Sequence, residues 1–388
     1  MVIKNKGYKL KLKELSRYIS TILFLTSTVI FPRVFDMTSG YSSYVNILKV
    51  ITVFYNFGVF VLLFKTRKKT LVSIYFVFIL SLIILNMSFV NFIAYVLATY
   101  AYGESDKNFK AYVYTKLILV IIIFILSLFG LNSEHIMYEY ERGIRFTLGF
   151  TNPNTPSMMI FDVVIGLIYI HNKDKKIIFI STMLVLGVFY YTNTRTLLLV
   201  YIYCLFILML NSKILAFLKP IIIRSFLICF VLSIVFALFH ESSLNSFFNR
   251  RPELIYKFLT FYKLNLFGYS RDGLSISVDN SYLRILVELG LVYFTIHSVL
   301  IKRMIKKMFL YEDYLGIKII MSILLYDIFE QFSIAHGSIL LVFLSNYMIK
   351  CSSINKVEKV TAGIDNSQFL IKTKRGDYIE NMYSRTCN

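Results

Sequence analysis

Leu117-Ile-Leu-Val-Ile-Ile-Ile-Phe-Ile-Leu-Ser-Leu-Phe-Gly-Leu-Asn-Ser133 runs without one Asp, Glu, Lys or Arg. Six other stretches are equally free of charge: 18–32, 50–64, 70–103, 177–194, 196–212 and 225–240. A helix crosses the hydrocarbon layer of a bilayer in roughly 20 mostly apolar residues, and lipid offers backbone N–H and C=O groups no partner outside a helix or a closed barrel. The repeated runs therefore predict an all-α, polytopic membrane bundle. The run 70–103 is long enough for two short helices. Less clean spans near 156–171, 281–301, 312–330 and 337–350 bring the expectation to about twelve crossings. Several are short, so snorkelling Lys and interfacial Tyr are expected to finish their ends.

Composition agrees with lipid as the solvent. With 57% hydrophobic and 16% charged residues and a mean hydropathy of +0.66, the chain lacks the polar surface to cover a water-soluble fold. A net charge of +20 would suit a nucleic-acid binder, but Lys and Arg sit in short clusters between apolar runs rather than on one face. Nucleic acid is excluded as a partner on that ground. Cys204, Cys229, Cys351 and Cys387 show no metal-site or redox spacing. With 29 Tyr, 36 Phe and no Trp, Tyr must supply the amphipathic ring at the membrane interface. The apolar stretch after Arg17 ends at Pro32-Arg33 without a small-residue cleavage site, so it reads as the first span rather than a signal peptide.

Alternating the gaps between spans tests the positive-inside rule. Of the 42 Lys and Arg, 30 fall in the odd-numbered segments, which is expected to place both termini on the cytoplasmic side of the membrane. The expected organisation is a membrane domain over 1–350 and a loosely ordered cytoplasmic tail over 351–388. Two outer segments, 131–155 and 241–280, are long; function is expected there.

Eight of the twelve basic residues left outside or within the membrane are Arg, whereas the inner clusters are mostly Lys. A guanidinium is a planar fork matched to phosphate oxygens, which an ammonium is not, so an outer phosphate ligand is expected. Three places carry the chemistry. The first, Arg145-Phe146-Thr147-Leu148-Gly149-Phe150-Thr151-Asn152-Pro153-Asn154, joins an Arg to a Gly that permits close backbone approach and an Asn-Pro-Asn turn leading into a helix. The second is the short turn Asn193-Thr194-Arg195-Thr196, which holds Arg195 at the membrane edge. The third comprises Arg250-Arg251-Pro252-Glu253, Phe267-Gly268-Tyr269, Asp279-Asn280-Ser281-Tyr282-Leu283-Arg284 and Glu288-Leu289-Gly290. It has the parts of glycosyl transfer: guanidinium groups for a departing pyrophosphate and a carboxylate near a helix start to take a proton. Asp279 reads equally as a helix cap, and Arg195 equally as a topological anchor. Lys318, Asp327 and Glu330, at membrane depth, read as an ion pair or as cavity lining.

Taken in order, these segments resemble the O-antigen polymerase and O-antigen ligase superfamily, the Wzy-type capsule polymerases included, over residues 140–300. The resemblance rests on Arg145 to Asn154, on Thr192 to Arg195, and on Arg251, Phe267-Gly268-Tyr269, Asp279 to Leu283 and Glu288-Leu289-Gly290. It implies a GT-C-like membrane glycosyltransferase that joins undecaprenyl-pyrophosphate-linked oligosaccharide repeat units on the outer face, working with a flippase and a chain-length regulator. Where the ligases carry a catalytic His, this chain carries Asp279, which favours a polymerase. Asp279 is then expected as the base, with Arg145, Arg195 and Arg251 at the pyrophosphate and Tyr282 beside the sugar. Gly149, Asn152, Asn154, Arg250, Tyr269, Asn280 and Arg284 are expected to line the substrate, with Arg250 an alternative to Arg251. No cofactor is expected, because arginines supply the charge and the outer loops lack a carboxylate cluster suited to Mg²⁺. Competing readings are a lipid-linked oligosaccharide flippase, a ligase-like transferase, a peptidoglycan glycosyltransferase and a sensor or structural membrane protein.

Overall fold

The computed structural model describes residues 2–30, 34, 41–63, 87–102, 104–130, 136–139, 143–172, 174–243, 245, 248, 250–269, 278–330, 338–340 and 342–347. The chain divides into two units, 1–347 and 348–388. The expected tail, most of the run 70–103, Arg142 and Arg271 lie outside the described residues.

The first unit is mostly helical: α1 (Val2–Leu25), α2 (Tyr41–Leu63), α3 (Met87–Tyr102), α4 (Ser105–Leu128), β1 (Ile136–Glu139), β2 (Gly143–Phe146), α5 (Asn154–Ile170), α6 (Lys175–Thr192), α7 (Arg195–Met209), α8 (Ser212–Phe217), α9 (Lys219–Ile222), α10 (Ser225–Ala237), α11 (Arg251–Phe261), α12 (Ser281–Glu288), α13 (Gly290–Leu310) and α14 (Tyr314–Phe329). Three segments, Tyr44–Leu63, Asp106–Leu128 and Lys175–Thr192, are long and apolar enough to cross a membrane, and Asn154–Ile170, Arg195–Met209 and Ser225–Ala237 are shorter apolar helices. These features mark a membrane protein.

Exposure separates two kinds of helix. On α4, Ile118, Ile121, Ile122 and Ile125 form one exposed apolar stripe at helical spacing, while Tyr112, Val113, Lys116, Val120 and Ile123 are buried. A stripe of exposed Ile is what a lipid-facing helix presents. By contrast α5 is buried without interruption from Thr155 to Ile168 and lies, with α14, in the middle of the core. Residues Gly166 and Val113 touch there so closely that an added Cβ would stand 2.5 Å from the Val113 methyl.

Charges within this core are spent on holding elements together. Lys116 Nζ donates to Asp162 Oδ2 at 2.6 Å, Tyr112 donates to the same oxygen, and the backbone N–H of Ile339 donates to Asp162 Oδ1 at 2.9 Å. Lys318 donates to the carbonyls of Leu208 and Leu210. It thereby satisfies the open C-terminal end of α7, where the helix dipole favours a cation. These bonds fix the position of α7 against α14.

Two sequence expectations are corrected here. The segment 131–155 contains a β-hairpin, with Ile136 opposite Phe146 and Met137 opposite Arg145, so the fold is mostly but not wholly α. The single span expected over 281–301 is two helices, α12 and α13, broken at Gly290. That glycine has φ +85°, and a Cβ on it would stand 2.4 Å from both Gly268 N and Leu266 O. The segment 265–269 crosses at this point and takes the free backbone groups: Leu291 N–H donates to Asn265 O, Val292 N–H to Leu266 O, and Tyr269 N–H to Val287 O.

Candidate active site

Four helices begin around the C-terminal end of α14. Asn154, Arg195, Arg251 and Ser281 are the first residues of α5, α7, α11 and α12, and Glu330 follows the last residue of α14. Helix N-termini concentrate unpaired N–H groups and partial positive charge, and so favour an anion between them.

Arg145 joins the first two helices. Strand pairing fixes its backbone, and its side chain, 2% exposed, reaches the start of α7. Its Nε donates to the Thr192 carbonyl at 2.7 Å, and Nη2 donates to Thr194 Oγ1 at 3.1 Å and to Asn154 Oδ1 at 2.7 Å. The backbone N–H of Asn154 is itself held by Asn152 Oδ1 at 2.8 Å, an Asx turn that orients the entry to α5. Gly149, with φ +85°, serves packing rather than a ligand: a Cβ there would meet Ile123 and Ser127 of α4 at 3.0–3.1 Å.

Arg251, the first residue of α11, ties α7 to the end of α14. Its Nη2 donates to Glu330 Oε1 at 2.5 Å, and Nη1 donates to Thr196 Oγ1 at 3.2 Å and to the Phe329 carbonyl. Burial disfavours its charge most strongly, but the carboxylates of Glu330 and Asp279 outweigh burial and raise its pKa. Arg250 points away. It has a left-handed backbone (φ +58°), is exposed, and forks onto Glu253 at 2.9 and 3.0 Å. Of the adjacent pair, Arg251 belongs to the cluster and Arg250 to the surface.

Asp279 is partly exposed, and it acts electrostatically on both Arg251 and Glu330, as Arg145 does on Glu330. The helix-cap reading of Asp279 is overturned. Asn280 is the cap of α12, its Oδ1 accepting from Leu283 N–H at 3.0 Å while its Nδ2 donates to Ser233 Oγ and the Ile328 carbonyl. Ser281 Oγ donates to the Glu330 carbonyl at 2.9 Å. Asn280 and Ser281 thus clamp the start of α12 to the end of α14 and present Asp279 beside Arg251.

Other expected substrate residues are occupied elsewhere. Tyr282 is fully buried, its ring against Phe226 and its hydroxyl donating to the Leu324 carbonyl at 2.7 Å, so no face of it is open to a sugar. Arg284 pairs with Glu288 one turn along α12. Tyr269 packs on Tyr262, and its N–H holds Val287. Arg195 is different: it is exposed at the first position of α7 and makes no hydrogen bond or ion pair with the described residues.

Glu330 is the residue whose role in the cluster the sequence reading did not assign. A carboxylate ending an apolar helix opposes the helix dipole, and that anomaly at the end of 312–330 signals a buried cation partner. Comparison with protein-family models, with curated proteins and with solved structures gives no match to this chain.

Proposed function

We propose that this chain is a bacterial inner-membrane glycosyltransferase that polymerises undecaprenyl-pyrophosphate-linked oligosaccharide repeat units, a capsule or O-antigen polymerase. In this reading about twelve spans run N-in, C-in in a GT-C-like arrangement, and the cluster at Glu330 faces outward. The growing chain on its carrier is the donor, and an incoming repeat unit offers a sugar hydroxyl. The hydroxyl oxygen bonds to the anomeric carbon, the bond from that carbon to the pyrophosphate oxygen breaks, and the hydroxyl proton passes to Asp279. One displacement inverts the anomeric centre. Arg195, exposed at the start of α7, contacts the leaving pyrophosphate, and the four helix N-termini add positive potential. Arg145 and Arg251 hold the turn Thr192–Thr196 that carries Arg195.

The observation that supports this best is that Arg145 and Arg251, far apart in sequence, are both buried against one turn, Thr192 to Thr196. The electrostatic partners of Arg251 include Asp279. Complementation of a deletion strain with Arg195→Ala, Arg251→Ala or Asp279→Asn tests it, with protein levels checked. Loss of long polymer while single units still reach the surface supports a polymerase. Accumulation of units on the inner leaflet points instead to a flippase.

A further inference from the structure

The hairpin of β1 and β2 has two unlike faces. Cross-strand partners in an antiparallel pair share a face, and every second residue returns to it. Ile136, Phe146, Tyr138 and Ile144 therefore share one face, and Met137 and Arg145 the other. The second face turns Arg145 into the protein. The first is wholly apolar, and Ile136, Tyr138 and Ile144 stand 61%, 74% and 60% exposed. A two-stranded ribbon is marginal on its own in water, and apolar residues left open along it invite aggregation.

The neighbouring elements indicate what covers this face. Helix α4, which leads into the hairpin, ends in Leu128 and is followed by Phe129, both exposed, continuing its lipid-facing stripe. Phe146 stands edge-on to Tyr191 at the end of α6, ring centroids 6.0 Å apart, beside the exposed Tyr190. Both α4 and α6 are membrane-length, and both end at this edge, because α5 returns the chain to the opposite side between them. The apolar face of the hairpin thus continues the lipid-facing surface of two membrane-crossing helices. Its Tyr has the amphipathic ring that favours the boundary of headgroup and hydrocarbon.

We infer that the hairpin is a membrane-interface element: the face of Ile136, Tyr138 and Ile144 seats in bilayer lipid while the opposite face holds Arg145 against α7. No sugar or carrier enters this argument, so it stands or falls separately from glycosyl transfer.

The chain contains no Trp, so Tyr138→Trp installs a single indole, and Ile144→Trp places one directly opposite on the same face. Each full-length variant is reconstituted in phosphatidylethanolamine–phosphatidylglycerol vesicles in which part of the lipid carries bromine either near the carbonyl end or near the middle of the acyl chain. The expected result is blue-shifted emission, stronger quenching by the shallow bromines than by the deep ones, and protection from aqueous iodide. Quenching by iodide with indifference to both bromolipids overturns the inference, as does shielding from all three quenchers. If Tyr138→Trp does not reconstitute as a monodisperse protein, Ile144→Trp reads the same face.

Discussion

Replacing Arg251 by Met removes the cation from a pair whose side chains are 10% and 2% exposed. The guanidinium gives up its bonds to Glu330, Thr196 and the Phe329 carbonyl, and the Glu330 carboxylate is left buried with its principal partner gone. Breaking a buried pair from one side costs about 3–5 kcal/mol. In a chain this long each kcal/mol shifts the thermal midpoint by at most about 2 °C, so the fall is expected to be a few degrees and no more than roughly 10 °C. Replacing Glu330 by Met as well removes the stranded charge, and an apolar pair of similar volume is often neutral in such a place. The double variant should recover most of the loss, which puts the coupling at about 3 kcal/mol or more, the top of the range for residues in contact. Temperature-ramped size-exclusion of detergent-solubilised protein reads all four corners of the cycle. If the two single shifts simply add, or if Arg251→Met leaves the midpoint unchanged, the pairing that organises the site is refuted. The stable double variant also separates scaffold from chemistry, because it should fold and yet make no long polymer.

Arg195→Ala should leave the thermal midpoint within about 1 °C, as for an ordinary surface substitution, and abolish polymer laddering; a large drop in stability with activity kept would contradict the role given to Arg195. Gly290→Ala forces a left-handed Ala, worth about 1–2 kcal/mol, and also sets a Cβ 2.4 Å from two backbone atoms, so its midpoint should fall well below that of Gly143→Ala, where φ is +71° but the space is open. Equal shifts in the two variants would dismiss the crossing at Gly268 as the cause of the break. Hydrogen bonds from Arg250, then Lys257, hold the Glu253 carboxylate at a pKa of about 2, below the roughly 4.3 of an unfolded Glu. Its stabilising effect is therefore complete above the unfolded value and lost as pH falls from there toward about 2. The midpoint difference between the parent protein and Glu253→Gln should shrink across that acidic window, and a difference independent of pH would count against it. Activity in laddering assays of purified protein should survive EDTA, and rescue of a lost signal by Mg²⁺ would overturn metal independence.

What could be read from the chain, and what could not, divides by the range of the interaction that decides it. The run 117–133 announces a lipid-facing helix because each Ile in the stripe of α4 is apolar whatever it meets. Gly290 does not announce a break: within an apolar run a glycine sits in a helix or in a left-handed turn, and the choice here is made by the backbone of 265–269 crossing it. The hairpin is hidden in the sequence for a similar reason, since strands of four residues carry too little alternation to stand out from a loop.

The motif residues themselves sort by exposure in a way that sequence order hides. Gly268, Gly290, Asn280, Tyr282 and Arg284 occur in the same short segments as Asp279, yet their contacts are internal and position backbone. Arg145 and Arg251 are buried and hold a turn. Only Arg195 and Asp279 among the proposed reacting groups combine a place in the cluster with open surface. Glu330 explains how so many cations and helix N-termini tolerate one another: its carboxylate lies among Arg145, Arg251 and four helix starts and offsets their mutual repulsion in the free protein. A pyrophosphate arriving at Arg195 would then meet a site already held in place, with Glu330 limiting its excess positive charge. The carboxylate should therefore set how tightly the leaving group is released as well as how stably the cluster folds.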